Sequence, residues 1–169
     1  MKHKSKLKNF FLTIAVFLVL FTILKSCIPE TFKIDGTSME PGLVKGDRVW
    51  MNRLSYGFSL FFLDHLLLQW QEPQVGDIVI YRMNGHYVIK RCVAVAGTSL
   101  EYSAKDGYNL IVGEKTYPLS ETQYHHMFLS KAVPKGMVLC IGDNYKSSID
   151  SRTYGFVSTK DIIGKIINR

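Results

Sequence analysis

Lys90 and Arg91 interrupt the run HYVIKRCVAVAG, residues 86–97, whose other members are mostly β-formers or small apolar residues. A lysine inside such a strand must reach out to water, pair with an anion, or lose its proton. Only the last outcome makes it a general base. A free lysine, with a pKa of about 10.4, is almost fully charged at neutral pH. Burial against Val, Ile, Ala and Cys lowers that value. Alternation along a strand sends Arg91 to the face opposite Lys90, where it stays in water or pairs with an acid. A serine near glycine and proline, such as Ser38 in IDGTSMEPGL (residues 34–43), is by itself an ordinary turn former.

The histidines compete poorly for the role of base. His125-His126 sits in an irregular polar stretch at the surface, His65 in an apolar segment, and His86 after a turn. The chain has no HExxH and no Cys/His pair at ligand spacing, so no metal and no cofactor are expected. Cys27 follows an apolar stretch, while Cys92 and Cys140 lie far apart in strand-like runs without a CxxC pair. Buried free thiols are expected, and a Cys92–Cys140 bridge stays open in an oxidising compartment.

Four stretches follow one another in a recognisable order. They are IDGTSMEPGL, GDIVIY (76–81), YVIKRCVAVAG (87–97) and GDNYKSSIDSRTYGFV (142–157). Ser38-Met39 before Pro41, GDIV at 76–79, Tyr-Val-Ile-Lys-Arg at 87–91, and GDN with Ser-x-Asp-Ser-Arg ending at 152 together resemble the bacterial type I signal peptidases. With the apolar N-terminal stretch the match covers nearly the whole chain, loosely at 54–74 and 98–136.

The resemblance implies a mainly-β catalytic domain of the signal peptidase/LexA-like fold behind one N-terminal transmembrane helix. It implies endoproteolysis of signal peptides by a serine and a lysine, after small residues of the Ala-x-Ala type. Box by box, Ser38 matches the nucleophile and Lys90 the general base. Ser148 matches the serine that hydrogen-bonds the lysine, and Asp150 and Arg152 match a supporting ion pair. Met39, Arg91, Gly142, Asp143 and Asn144 match motif positions of a more structural kind. The substrate strand is expected along Phe32–Gly36, with Ile34, Asp35 and Gly36 as its contacts, on one side and along Tyr87, Val88 and Ile89 on the other. Gly36 stands where some members carry a hydroxyl donor for the oxyanion, and the large insertion that some members carry before the last box is missing. Two other readings are a dedicated pilin-processing peptidase of a conjugative system and a non-catalytic anchored domain that binds secretory chains. Repressors of the LexA type share the Ser/Lys pair but would need a DNA-binding domain.

These residues need a scaffold, and 169 residues suffice for one domain with a core and a short appendage. The net charge of +7 is concentrated at the N-terminus: Lys2, Lys4, Lys6, Lys8 and Lys25 precede the first acid. No basic stripe with interleaved aromatics follows, so nucleic acid is not an expected partner. Signal peptides and the lipid bilayer are. NFFLTIAVFLVLFTIL, residues 9–24, is framed by lysines. It reads as an uncleaved anchor over 9–27, with a cytoplasmic tail at 1–8 and the domain 28–169 outside a bacterial cell membrane. No small-x-small site follows it, and Lys25 argues against a lipobox at Leu24-Lys25-Ser26-Cys27.

Beyond the anchor, β-type runs are expected at Phe32–Asp35, Asp47–Arg53, Asp77–Tyr81, His86–Ala96, Asn109–Val112, Met137–Ile141 and Ile162–Ile167. Asn84-Gly85 signals a hairpin turn. No long amphipathic helix is expected. The run FSLFFLDHLLLQW, residues 58–70, is too short to span a membrane and carries Asp64 at its centre. A buried helix or hairpin competes there with an apolar edge that dips into the outer leaflet, Trp70 at the headgroups.

Overall fold

The structure is a computed structural model that describes residues 2–60 and 62–168; Phe61, part of the 58–70 segment, lies outside the described residues, as do Met1 and Arg169. The chain begins with helix α1 (Lys2–Cys27), whose stretch Lys8–Cys27 is long and apolar enough to cross a bilayer. From Phe10 to Leu24 its leucine, valine and phenylalanine side chains are exposed, an apolar surface that suits a lipid surrounding.

The elements that follow include β1 (Glu30–Lys33), β2 (Arg48–Asn52), β3 (Gly57–Phe58), β4 (Leu68–Gln69), β5 (Ile78–Met83), β6 (His86–Val95), β7 (Glu101–Ser103), β8 (Asn109–Val112), β9 (Lys115–Pro118), α2 (Glu121–Met127), β10 (Met137–Ile141), α3 (Ser151–Tyr154) and β11 (Val157–Ser158). The last strand, β12, spans Ile162–Asn168. Seven strands form one antiparallel sheet in the order β1-β2-β12-β5-β6-β10-β11, with β3-β4 and β7-β8-β9 as smaller sheets. The fold is mainly β.

The β5–β6 hairpin is the centre of this sheet. Asn84 and Gly85 have φ of 50° and 81°, the left-handed pair that a two-residue turn with the twist of the strands requires. The turn sets the register, which pairs Val79 with Lys90 and Ile78 with Arg91. The sheet packs on both faces: Val79, Tyr81, Cys92 and Cys140 enter one core, Met51, Ile80 and Ile163 another.

The first β-type run starts and ends earlier than expected. β1 covers Glu30–Lys33, and Ile34 and Asp35 have already left the ladder, although Ile34 N–H still donates to Asp47 O. The polar stretch around His125-His126 is a helix rather than irregular, because Ser120 and Gln123 form a reciprocal capping box; both histidines are exposed, as expected. The 58–70 segment is a short hairpin, β3–β4, that buries Ser59 and Leu66 and exposes Phe62, Leu67, Leu68 and Trp70.

Candidate active site

Ser38 opens the turn that follows β1. The turn closes on Leu43 N–H donating to Met39 O, and both Met39 and Leu43 are buried, so two apolar side chains moor the loop to the core beneath. Lys90 lies in β6 and is only 5% exposed. The Lys90 amine donates to Ser38 Oγ at 2.7 Å. Burial holds the Lys90 pKa below the usual lysine value, with the Arg152 charge adding to the effect and the Asp150 carboxylate and Cys140 opposing it.

Arg91 turns away from this contact. It grips Asp143 with two nitrogens, at 2.8 and 2.7 Å, and donates to Gly76 O. The pair ties β6 and the turn before β5 to the loop that carries Gly142, Asp143 and Asn144. That loop holds Ser38 by its backbone: Asn144 N–H donates to Ser38 O at 3.0 Å, and Asn144 Nδ2 donates to Thr37 O at 3.2 Å. A Cβ on Gly142 would collide with Ser38 O and with Ser148 Oγ, so only glycine permits this approach.

Asp150 and Arg152 form a buried bidentate pair, Nε to Oδ1 and Nη2 to Oδ2, both at 2.8 Å. Asp150 also accepts from Gly142 N–H and caps α3 through Arg152 N–H, while Arg152 donates to Pro118 O and Tyr145 O. Ser148 is buried nearby, but its Oγ has no hydrogen-bond partner. The expected bond between Ser148 and Lys90 is not formed: the single hydrogen bond of the Lys90 amine goes to Ser38 instead.

Beside Ser38 and Lys90 lies a cavity of about 390 Å³, lined on one side by Phe32, Ile34, Asp35 and Gly36 and on the other by Tyr87, Val88 and Ile89. The network of the GDIV box is unforeseen. Asp77 accepts from Tyr56 Oη at 2.8 Å and from Gln74 N–H at 3.0 Å, and pairs with Lys165 at 2.5 Å, joining β5, β12 and the β2–β3 connection. Among the described residues, no three of His, Cys, Asp or Glu converge in a way that could hold a metal ion.

The class is thus a mainly-β domain behind one long apolar helix, with a loop serine and a buried lysine in hydrogen-bond contact. The chain belongs to the signal peptidase, peptidase S26 family, which it matches over residues 7–169. It is 32% identical to a probable signal peptidase I-1 of Synechocystis sp. over 91% of this chain and 77% of that one. It is 33% identical to the chloroplastic thylakoidal processing peptidase 1 of Arabidopsis thaliana over 87% of this chain, which spans 43% of the plant protein. With signal peptidase IB of Staphylococcus aureus the identity is 27%, over 96% and 88% of the two chains. The protein is a serine endopeptidase that removes signal peptides from secretory preproteins. Its apolar N-terminal helix suits a membrane-anchored member of the family.

Proposed function

We propose that Ser38 is the nucleophile and Lys90 the general base, in an enzyme that cuts after small residues of the Ala-x-Ala type. The observation that carries this reading is the 2.7 Å contact between Ser38 Oγ and a lysine amine buried to 5% exposure. In its neutral form the amine accepts from the serine hydroxyl. Ser38 Oγ then attacks the scissile carbonyl carbon as its proton passes to Nζ. The Ser38 backbone N–H faces the oxyanion, and Gly36 adds no side-chain donor. The ammonium returns the proton to the leaving nitrogen as the C–N bond breaks. Water next gives a proton to Nζ and attacks the ester carbonyl, which frees the new C-terminus and restores the serine hydroxyl.

The substrate lies extended between Ile34–Gly36 and Tyr87–Ile89, adding a strand there. Small side chains next to the cut enter the cavity beside Ser38 and Lys90. The lysines before residue 9 stay cytoplasmic, and the domain from residue 28 onward faces the outer side of the cell membrane. Phe62, Leu67, Leu68 and Trp70 rest in the outer leaflet interface and keep the cleft near the bilayer.

Cleavage of a preprotein in detergent by wild type, Ser38→Ala and Lys90→Ala tests the dyad. Both variants should lose cleavage by about three orders of magnitude or more. Unchanged cleavage by either would overturn the assignment. A wild type that leaves every preprotein with small residues before its cut intact would favour a binding domain.

A further inference from the structure

Arg53 is a buried cation that the chemistry at Ser38 and Lys90 does not use. It is 3% exposed and opens the 3₁₀ turn Arg53–Ser55 that follows β2. Its Nε donates to Glu30 Oε1 at 3.0 Å, and its Nη1 donates to Ser59 Oγ at 3.2 Å. Glu30 is the first residue of β1, and Ser59 follows β3 in the 58–70 segment. The end of α1 meets the same turn. Ser26, in the last turn of that helix, is fully buried, whereas the large apolar side chains from Phe10 to Leu24 face outward. The membrane helix therefore ends docked on the domain.

The connection leaves little slack. Only Ile28 and Pro29 separate α1 from β1; Ile28 N–H donates back to Lys25 O, and the proline ring fixes its own φ. β1 leads on to the Ser38 turn, so the tilt of β1 on α1 sets where the nucleophile stands relative to the bilayer. Arg53 holds that tilt by tying β1, β2 and the 58–70 segment through one buried side chain. An apolar side chain of similar volume often serves stability as well as a buried charge does. What the guanidinium adds is direction, because its planar fork fixes the angle at which each partner is held.

The substrate makes this direction matter. A signal peptide carries an apolar stretch of about 7–15 residues ahead of its small-residue cut. Once that stretch enters the bilayer that α1 crosses, the scissile bond stands at a set height above it. We infer that Arg53 is a positioning residue for cleavage at the membrane. Through Glu30 and Ser59 it clamps the exit of the membrane helix to the catalytic sheet, and so holds the Ser38–Lys90 cleft at the height of the cut in a membrane-inserted preprotein. A soluble peptide, which has no fixed height, does not need the clamp. This rests on the proposed anchor and on the proposed Ser38–Lys90 dyad.

The test uses the full chain and two kinds of substrate: a short soluble peptide with an Ala-x-Ala cut, in detergent, and preproteins inserted in phospholipid vesicles. Among the preproteins the cut lies at its natural distance from the apolar stretch or is moved away from it by short polar insertions. Wild type should cleave the soluble peptide and favour one spacing among the preproteins. Arg53→Met should leave kcat/KM on the soluble peptide unchanged, lower cleavage of the best preprotein by about tenfold or more, and flatten the dependence on spacing. Arg53→Lys, which keeps a cation for Glu30, should recover part of the loss. A flexible Gly-Ser insertion between Ile28 and Pro29 should reproduce Arg53→Met with the domain's own residues intact, which keeps the inference testable if Arg53→Met does not fold. Equal loss on soluble and membrane substrates in the insertion variant and in a folded Arg53→Met would mean a merely structural role and overturn the inference. So would a wild type indifferent to spacing, or a spacing preference that both variants retain. A wild type that cleaves neither kind of substrate would instead strike at the reading of the site on which the inference rests.

Discussion

Arg152 and Asp150 are locked together two residues apart, with 1% and 0% of their surfaces exposed, and the same carboxylate accepts the backbone N–H of Gly142. The pair is therefore a buckle between α3 and the loop that grips Ser38. Removing one partner leaves the other charge buried, a loss of about 3–5 kcal/mol. Asp150→Ala and Arg152→Ala should each unfold at markedly lower urea concentration. The double replacement Asp150→Leu with Arg152→Met should recover part of that stability. It should not recover cleavage, because Gly142 N–H still lacks its acceptor. A double variant as unstable as the singles would show that the charges matter little and the volume matters most.

Gly142 makes a sharper test of the Ser38 loop. Alanine there would press on Ser38 O and Ser148 Oγ, and moving the first of these moves the nucleophile. Gly142→Ala should lower kcat by about a hundredfold, the scale of a misplaced catalytic group, at a stability cost of about 1–3 kcal/mol. Gly36→Ala is the contrast: nothing lies within 4 Å of its added Cβ, so the melting temperature should not move. Circular dichroism melts and single-turnover cleavage separate the two effects. An active Gly142→Ala enzyme would mean that the loop yields without disturbing Ser38.

The strands and the four boxes were legible because each rests on local pattern. Alternation alone separates Lys90 from Arg91, and Asn84-Gly85 alone fixes the hairpin that pairs Lys90 with Val79. The region 98–136 was less so. β7 and β9 are three or four residues long with mixed polarity, which is too short for a period to emerge. Helix α2 carries a signal in Ser120 and Gln123 at capping-box spacing, but Tyr124, His125 and His126 mask the helical pattern. Contacts such as Phe32 with Tyr87, or the orphaned Ser148 hydroxyl, depend on how distant strands meet, and no spacing along the chain encodes that.

Asp77 should make the fold acid-sensitive. Burial pushes its pKa up, but the Lys165 ammonium, Gln74 N–H and Tyr56 hydroxyl more than offset this and hold it below the ordinary carboxylate value. A carboxyl with a depressed folded-state pKa contributes stability above the unfolded value of about 3.9 and loses it as pH falls through the folded one. Asp77→Asn should therefore cost about 1.5–3 kcal/mol at pH 7, the range for hydrogen bonds to a charged group. The gap to wild type should narrow in urea titrations below pH 4. A gap that stays constant from pH 7 to pH 3 would show that the charge contributes nothing.

Lys90 should also make stability rise with pH, but by relief of a cost rather than by a gain, because burial lowers its folded-state pKa by disfavouring the charged form. Between that lowered value and about 10.4 the unfolded chain binds more protons than the folded one, so stability rises with pH across this window. Below the window the buried amine is charged at a cost, which Lys90→Met removes. Lys90→Met should therefore be inactive yet melt higher than wild type at pH 7, with the two converging as pH approaches 10. The same lowered pKa governs the rate. In wild type the acid limb of log kcat/KM should bend above the carboxylate range and well below the pKa of free lysine. A limb that bends only below about pH 5, where carboxylates titrate, together with a Lys90→Met variant less stable than wild type at pH 7, would assign the proton transfer to another group.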